Sequence, residues 1–101
     1  MIVAVALFEL HIEHAQSLKD KRAVVRSVRD RLRSRFEIAA NEVAFQDLHQ
    51  RARLAVSFIA DGNDSADSLL DRIQRFVETN AEAVLTGWTS EKLDFDEEAA
   101  L

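Results

Sequence analysis

The first twelve residues are almost continuously apolar, and the pattern changes character towards their end. Ile2 to Phe8 carries no charge; Glu9-Leu10-His11-Ile12-Glu13 then alternates polar with apolar, so residues 2–12 are predicted as a strand whose last part has one wet face. Ser17-Leu18-Lys19-Asp20 has the spacing of a capping box: the Ser hydroxyl can accept an orphan backbone N–H, and a carboxylate follows three residues on. Beyond it Leu18, Val25, Val28, Leu32 and Phe36 recur at helical intervals, with Val24 beside them, which predicts a helix with one apolar face.

Residues 38–45 are predicted as a second strand, although Asn41 and Glu42 interrupt the alternation, and residues 53–60 as a third with clearer period-two patterning. The short connection Gln46 to Arg51 has room for one helical turn, with Asp47 and Arg51 four residues apart. Asp61-Gly62-Asn63-Asp64 is a turn, and Asp64 with Asp67 repeats the capping-box spacing. Leu69, Leu70, Ile73, Phe76 and Val77 then trace a second helix ending near Asn80. A last strand is predicted over residues 83–95, with Gly87 marking a bulge, and residues 96–101 form an acidic tail expected to fray. The order strand, helix, strand, strand, helix, strand gives an α+β fold, the ferredoxin-like split βαβ plan. It predicts a four-stranded antiparallel sheet with both helices on one face, in a single domain over residues 1–95.

That plan makes the first and third strands central. Phe8, Leu10, Leu54, Val56 and Phe58 are assigned to the helix side, which leaves Val3, Val5, Leu7, Glu9 and His11 on the open face beside Arg53, Ala55, Ser57 and Ile59. No aromatic residue stands on the open face of either central strand, which argues against an RNA-stacking sheet. Val3, Val5, Leu7 and Ile59, joined by Trp88 from the last strand, make an apolar patch that soluble monomers rarely expose, so a homodimer or higher oligomer packed through this face is predicted.

Charge adds a second surface. The chain has a net charge of -5, yet eight of its 13 cations lie between Lys19 and Arg35, facing only Asp20 and Asp30. At 100° per residue Lys19, Arg22, Arg26, Arg29 and Arg33 share a stripe roughly 80° wide beside the apolar face. A local positive field of this kind attracts phosphate even on an anionic protein.

Candidate chemistry changes the picture less. Without cysteine there is no disulfide framework or thiolate chemistry, and the apolar opening lacks the basic leader and cleavage site of a signal peptide, so a cytoplasmic protein without membrane association is expected. His11 and His14 are not spaced as i and i+4 helical ligands, and no metal site or cofactor is predicted. Two glycines cannot build a phosphate-cradling loop; the stretch Glu13 to Ser17, where acylphosphatases of this fold carry a glycine-rich anion loop, has none. One polar cluster remains: Glu9 and His11 lie opposite Arg51 and Arg53, near Asp47 and His49, and are read as a cross-strand ion pair in preference to a catalytic group.

The stretches Gln16-Ser-Leu-Lys-Asp-Lys-Arg22, Arg33-Ser-Arg-Phe36 and Phe45-Gln-Asp-Leu-His-Gln-Arg-Ala52, together with Glu9-Leu-His-Ile12 and Asp71-Arg-Ile-Gln-Arg-Phe-Val-Glu78, resemble the YlxP-like family of small bacterial proteins of unknown function. The resemblance covers about residues 1 to 95 and departs at Phe45 and His49, where the family pattern carries a His and a Trp. It implies a ferredoxin-like fold and, through genes that sit beside those of translation initiation and ribosome-maturation factors, an association with the ribosome or RNA. It supplies no catalytic residues. The expectation is a non-enzymatic cytoplasmic accessory protein that touches structured RNA or the ribosome through Lys19, Lys21, Arg22, Arg26, Arg29 and Arg33 as phosphate contacts. Two alternatives stand beside it: a structural or regulatory homo-oligomer whose basic helix meets an acidic protein surface, and an enzyme centred on Glu9, His11 and Arg53.

Overall fold

The computed structural model of the protein describes residues 1–79 and 82–99. Six elements follow in the predicted order: β1 (Ile2–His11), α1 (Leu18–Phe36), β2 (Ala39–Ala44), β3 (Arg51–Ala60), α2 (Asn63–Glu78) and β4 (Val84–Asp94). The strands form one antiparallel sheet in the order β2-β3-β1-β4, so the two most apolar strands are central as the split βαβ plan requires. Val3 pairs with Ile59, Leu7 with Ala55, Glu9 with Arg53 and His11 with Arg51.

Period-two burial follows from that register. Ile2, Ala4, Ala6, Phe8 and Leu10 of β1 and Ala52, Leu54, Val56 and Phe58 of β3 are buried, packed with Val25, Val28 and Leu32 of α1 and Leu70, Ile73 and Val77 of α2 in one core. The helix side assigned to Phe8, Leu10, Leu54, Val56 and Phe58 is thus the observed one. Val5 and Ile59 on the other face are 44% and 68% exposed.

The ends of the elements show what sets them. The Ser17 side chain accepts from the Asp20 N–H at 3.1 Å, as a capping box demands, but the Asp20 carboxylate returns to the Gln16 N–H, one residue upstream of the cap. Helix α2 starts earlier than Asp64: Gly62 is its N-cap, its N–H donates to Ser65 Oγ, and Asp64 lies in the first turn. Predicted to end near Asn80, which lies outside the described residues, α2 ends at Glu78 with Thr79 as C-cap. Gln46 to Arg51 holds no helical turn; the Leu48 N–H donates to the Phe45 carbonyl, closing a four-residue turn, and Arg51 already belongs to β3. Strand β2 stops before Phe45, whose φ of 66° is left-handed and breaks the extended backbone.

The bulge in β4 corrects the placement of Trp88. Glu9 pairs with Gly87 while Leu10 pairs with Leu85, leaving Thr86 as the extra residue beside the predicted Gly87. One extra residue reverses the alternation beyond it. Trp88 therefore stands opposite Phe8 on the helix side, its ring stacked on the Phe8 ring with centroids 5.7 Å apart, and does not belong to the open face. Beyond β4, Phe95 and Met1 exchange backbone hydrogen bonds, and residues 96–99 form a turn in which the Glu98 N–H donates to the Asp96 carboxylate.

Candidate functional site

The cations of α1 divide by position on the helix. Lys19, Arg22 and Arg26 are exposed and, among the described residues, make no hydrogen bond or ion pair. Arg29 is half-buried and pairs with Asp30 at 2.9 Å. That hydrogen bond, with the charges of Arg33 and Arg26, holds the Asp30 carboxyl below its ordinary value, a direct sign of the positive field on this side. Arg33 is exposed but spent on the edge strand: its Nε donates to the Ala40 carbonyl at 3.0 Å and its Nη2 to Asn41 Oδ1 at 2.7 Å.

Lys21 is not a surface cation. It is fully buried; its Nζ donates to the Phe45 carbonyl at 2.5 Å and lies 2.8 Å from Glu42 Oε2. The reason is helical geometry: Leu18, Lys21, Val25, Val28 and Leu32 share one face, so Lys21 occupies a core position and threads its alkyl stem between α1 and β2. A buried ammonium requires an opposite charge and an acceptor, and both are present.

On the open face, at the end where β1 finishes and β3 begins, the predicted cross-strand cluster is assembled. Arg51 Nη2 donates to Glu9 Oε2 at 3.1 Å, and Arg53 donates to Glu9 Oε1 through Nε at 3.0 Å and through Nη2. Hydrogen bonds from Arg53 and then Arg51 hold the Glu9 carboxyl below its ordinary value of 4.5, outweighing the opposite pull of desolvation. Both guanidiniums also lie against the Phe45 ring, 4.1 Å (Arg51) and 4.8 Å (Arg53) from its centroid. His11 is exposed one pair further along, opposite Arg51, and Asp47 and His49 are exposed in the β2–β3 turn; Arg51 pairs with Glu9 and not with Asp47. A cleft of about 250 Å³ opens beside the cluster, lined by Leu7, Glu9, Arg53, Gly87, Trp88 and Thr89. His11 is not in its wall.

The other half of the open face is apolar. Val3 stands between Ile59 and Leu93, and Leu93 is 59% exposed; Val5 and Leu7 continue the stripe towards the charged cluster. Leu93 takes the place that the sequence reading gave to Trp88. Among the described residues no helix is long and apolar enough to cross a membrane.

Phe45 is the residue that sequence reasoning undervalued. It sits at the end of an edge strand, where nothing in the apolar pattern marks it, and its role follows from a backbone carbonyl, a buried lysine and two arginines that meet only in three dimensions.

Comparison with known proteins supplies a family and no activity. The chain is 27% identical over 78 residues to a protein of Bacillus subtilis (strain 168) described as uncharacterized protein YlxP, covering 77% of this chain and 85% of that relative. A family model described as a protein of unknown function, DUF503, matches residues 3–89, from β1 into β4. The chain therefore belongs to the DUF503 family of proteins of unknown function.

Proposed function

We propose that this is a binding protein, not a catalyst, that docks the outward stripe of α1 on the phosphates of structured RNA, with the ribosome as the target of that class. The observation that carries the reading is the set of exposed, unpaired cations Lys19, Arg22 and Arg26, extended by Arg29, on a helix with only two acids. Surface cations usually find carboxylate partners within a turn of their own helix, whereas most of these do not, and a rigid helix holds them in a row suited to successive phosphates. Lys21 and Arg33 drop out of the contact set, Lys21 because it is buried and Arg33 because its donors are engaged by β2. Such contacts read the backbone and not the sequence, and the role carries with it a cytoplasmic location. The test is a binding titration with a structured RNA together with ribosome co-sedimentation. Replacing Arg22, Arg26 and Arg29 by Glu abolishes both while the circular dichroism spectrum is unchanged; retention of binding by the triple variant removes the proposal.

A second reading rests on a separate observation, the exposure of Ile59, Leu93 and Val5 on one sheet face. We propose that copies of the chain pack through the apolar half of that face, which leaves α1 on the outside of the assembly. Burying each branched side chain contributes roughly 1.5–3 kcal/mol, so Val5→Asp with Leu7→Asp splits the assembly. Light scattering at micromolar concentration decides it: a wild-type mass of 11.4 kDa is a monomer and ends this reading.

A further inference from the structure

The cluster around Glu9 has features that a cross-strand ion pair does not need. Phe45 is a bulky residue at φ 66°, a strained conformation that persists only where surroundings enforce it. The enforcing contact is the fully buried Lys21, which fixes the Phe45 carbonyl from the helix side of the sheet. The ring so placed backs two guanidiniums on the open side. Each guanidinium has five N–H donors in a fixed fork. Glu9 engages the Nε and Nη2 groups of both, so the Nη1 donors have no partner among the described residues. Two cations share one carboxylate, and the cleft beside them has a floor without a side chain at Gly87. There, Glu9 Cβ lies 3.9 Å from the position a Cβ would take.

We propose that Arg51 and Arg53, backed by Phe45, form a binding site for a phosphate monoester, with Glu9 as the built-in anion that the phosphate displaces. Two guanidiniums match the dianion of a monoester in charge and in bidentate geometry, whereas one internal phosphodiester neutralises only half the pair. The group that carries the phosphate lies in the cleft between Leu7, Gly87 and Thr89, which is the size of a small compact body. This shared chemistry has two sources, a free nucleotide or the 5′-phosphorylated end of an RNA strand. The site lies on the open sheet face while α1 packs on the other, so it stands or falls separately from the α1 surface.

The ring of Trp88, the single tryptophan, is stacked on Phe8 on the helix side, so occupancy of the cleft is read by isothermal titration calorimetry. Titration with adenosine monophosphate gives a saturable change at millimolar concentration or below, and adenosine gives none. Glu9→Gln removes the competing anion and tightens binding at least fivefold, and Arg51→Gln with Arg53→Gln abolishes it. Phe45→Gly removes the ring at a backbone conformation glycine adopts freely and weakens binding severalfold. The Arg22→Glu, Arg26→Glu, Arg29→Glu variant binds the nucleotide as the wild type does, even if it has lost RNA. Tighter binding of a 5′-phosphorylated oligoribonucleotide than of the mononucleotide assigns the site to RNA ends; the reverse assigns it to free nucleotides. An unresponsive wild type, an equal response to adenosine, or a Glu9→Gln variant that binds no better overturns the proposal.

Discussion

Two groups of cations in this molecule have the same chemistry and opposite fates. Lys19, Arg22 and Arg26 project from α1 into water without partners, whereas Lys21, Arg51 and Arg53 are each bound to a carboxylate and tied to Phe45, through its carbonyl or its ring. Lys21 and Arg22 are neighbours in sequence and about 100° apart around the helix, which puts one in the core and the other in solvent. Charge alone therefore does not say what a cation is for. Its position on the element decides whether its field is neutralised inside the protein or left available to a partner.

The contrast predicts a large difference in stability. Lys21→Ala leaves the Glu42 carboxylate partly buried without its counter-charge and the Phe45 carbonyl without a donor, at a cost of about 3 kcal/mol in urea unfolding. Arg22→Ala, one residue on, changes stability by no more than about 0.5 kcal/mol. Equal effects would mean that the two cations are not distinct in kind. Replacing the Lys21–Glu42 pair by Met and Leu together recovers most of the loss, because a well-packed apolar pair needs no compensating charge.

The two groups also differ in their response to acid. The Glu9 carboxyl is lowered by its arginines, so it stays ionised in the folded protein under conditions that protonate it in the unfolded chain. The stability it supplies is present above the ordinary value of 4.5 and is lost as pH falls through the lower folded value. Thermal midpoints of the wild type therefore fall more steeply below about pH 4.5 than those of Glu9→Gln, and parallel curves would show that the clasp contributes nothing. A small effect is expected at Arg33. Losing its two bonds to β2 in Arg33→Ala costs less than about 1 kcal/mol by the same unfolding assay, and RNA affinity changes less than in Arg22→Ala.

How much of this was legible in the sequence depends on whether alternation or geometry sets the feature. The β1–β3 register, with Glu9 opposite Arg53, follows from two long strands that each bury one face, where a one-residue slip would expose every core side chain. Lys21 was readable in principle, since it completes the Leu18, Val25, Val28, Leu32 face, but a charged residue counted by charge is assigned to the surface. Trp88 was misplaced because Thr86 is an unpaired extra residue, and a Gly nearby signals a bulge without saying which residue it leaves out. The Phe45 contacts depend on a left-handed backbone at a residue that rarely adopts it, and no local pattern announces that.

The unpartnered cations of α1 are a phosphate-binding surface, whereas Lys21, held by Glu42 and the Phe45 carbonyl, is internal. The most direct test is the salt dependence of affinity for a duplex-containing RNA, measured for the wild type and for the Arg22→Glu, Arg26→Glu, Arg29→Glu variant. Affinity of the wild type falls on a log–log plot with a slope of about 0.9 per phosphate neutralised, about 3 in all for a stripe of this size, and the variant shows little binding and no slope. Wild-type affinity that ignores salt, or a variant that keeps the wild-type slope, contradicts the claim.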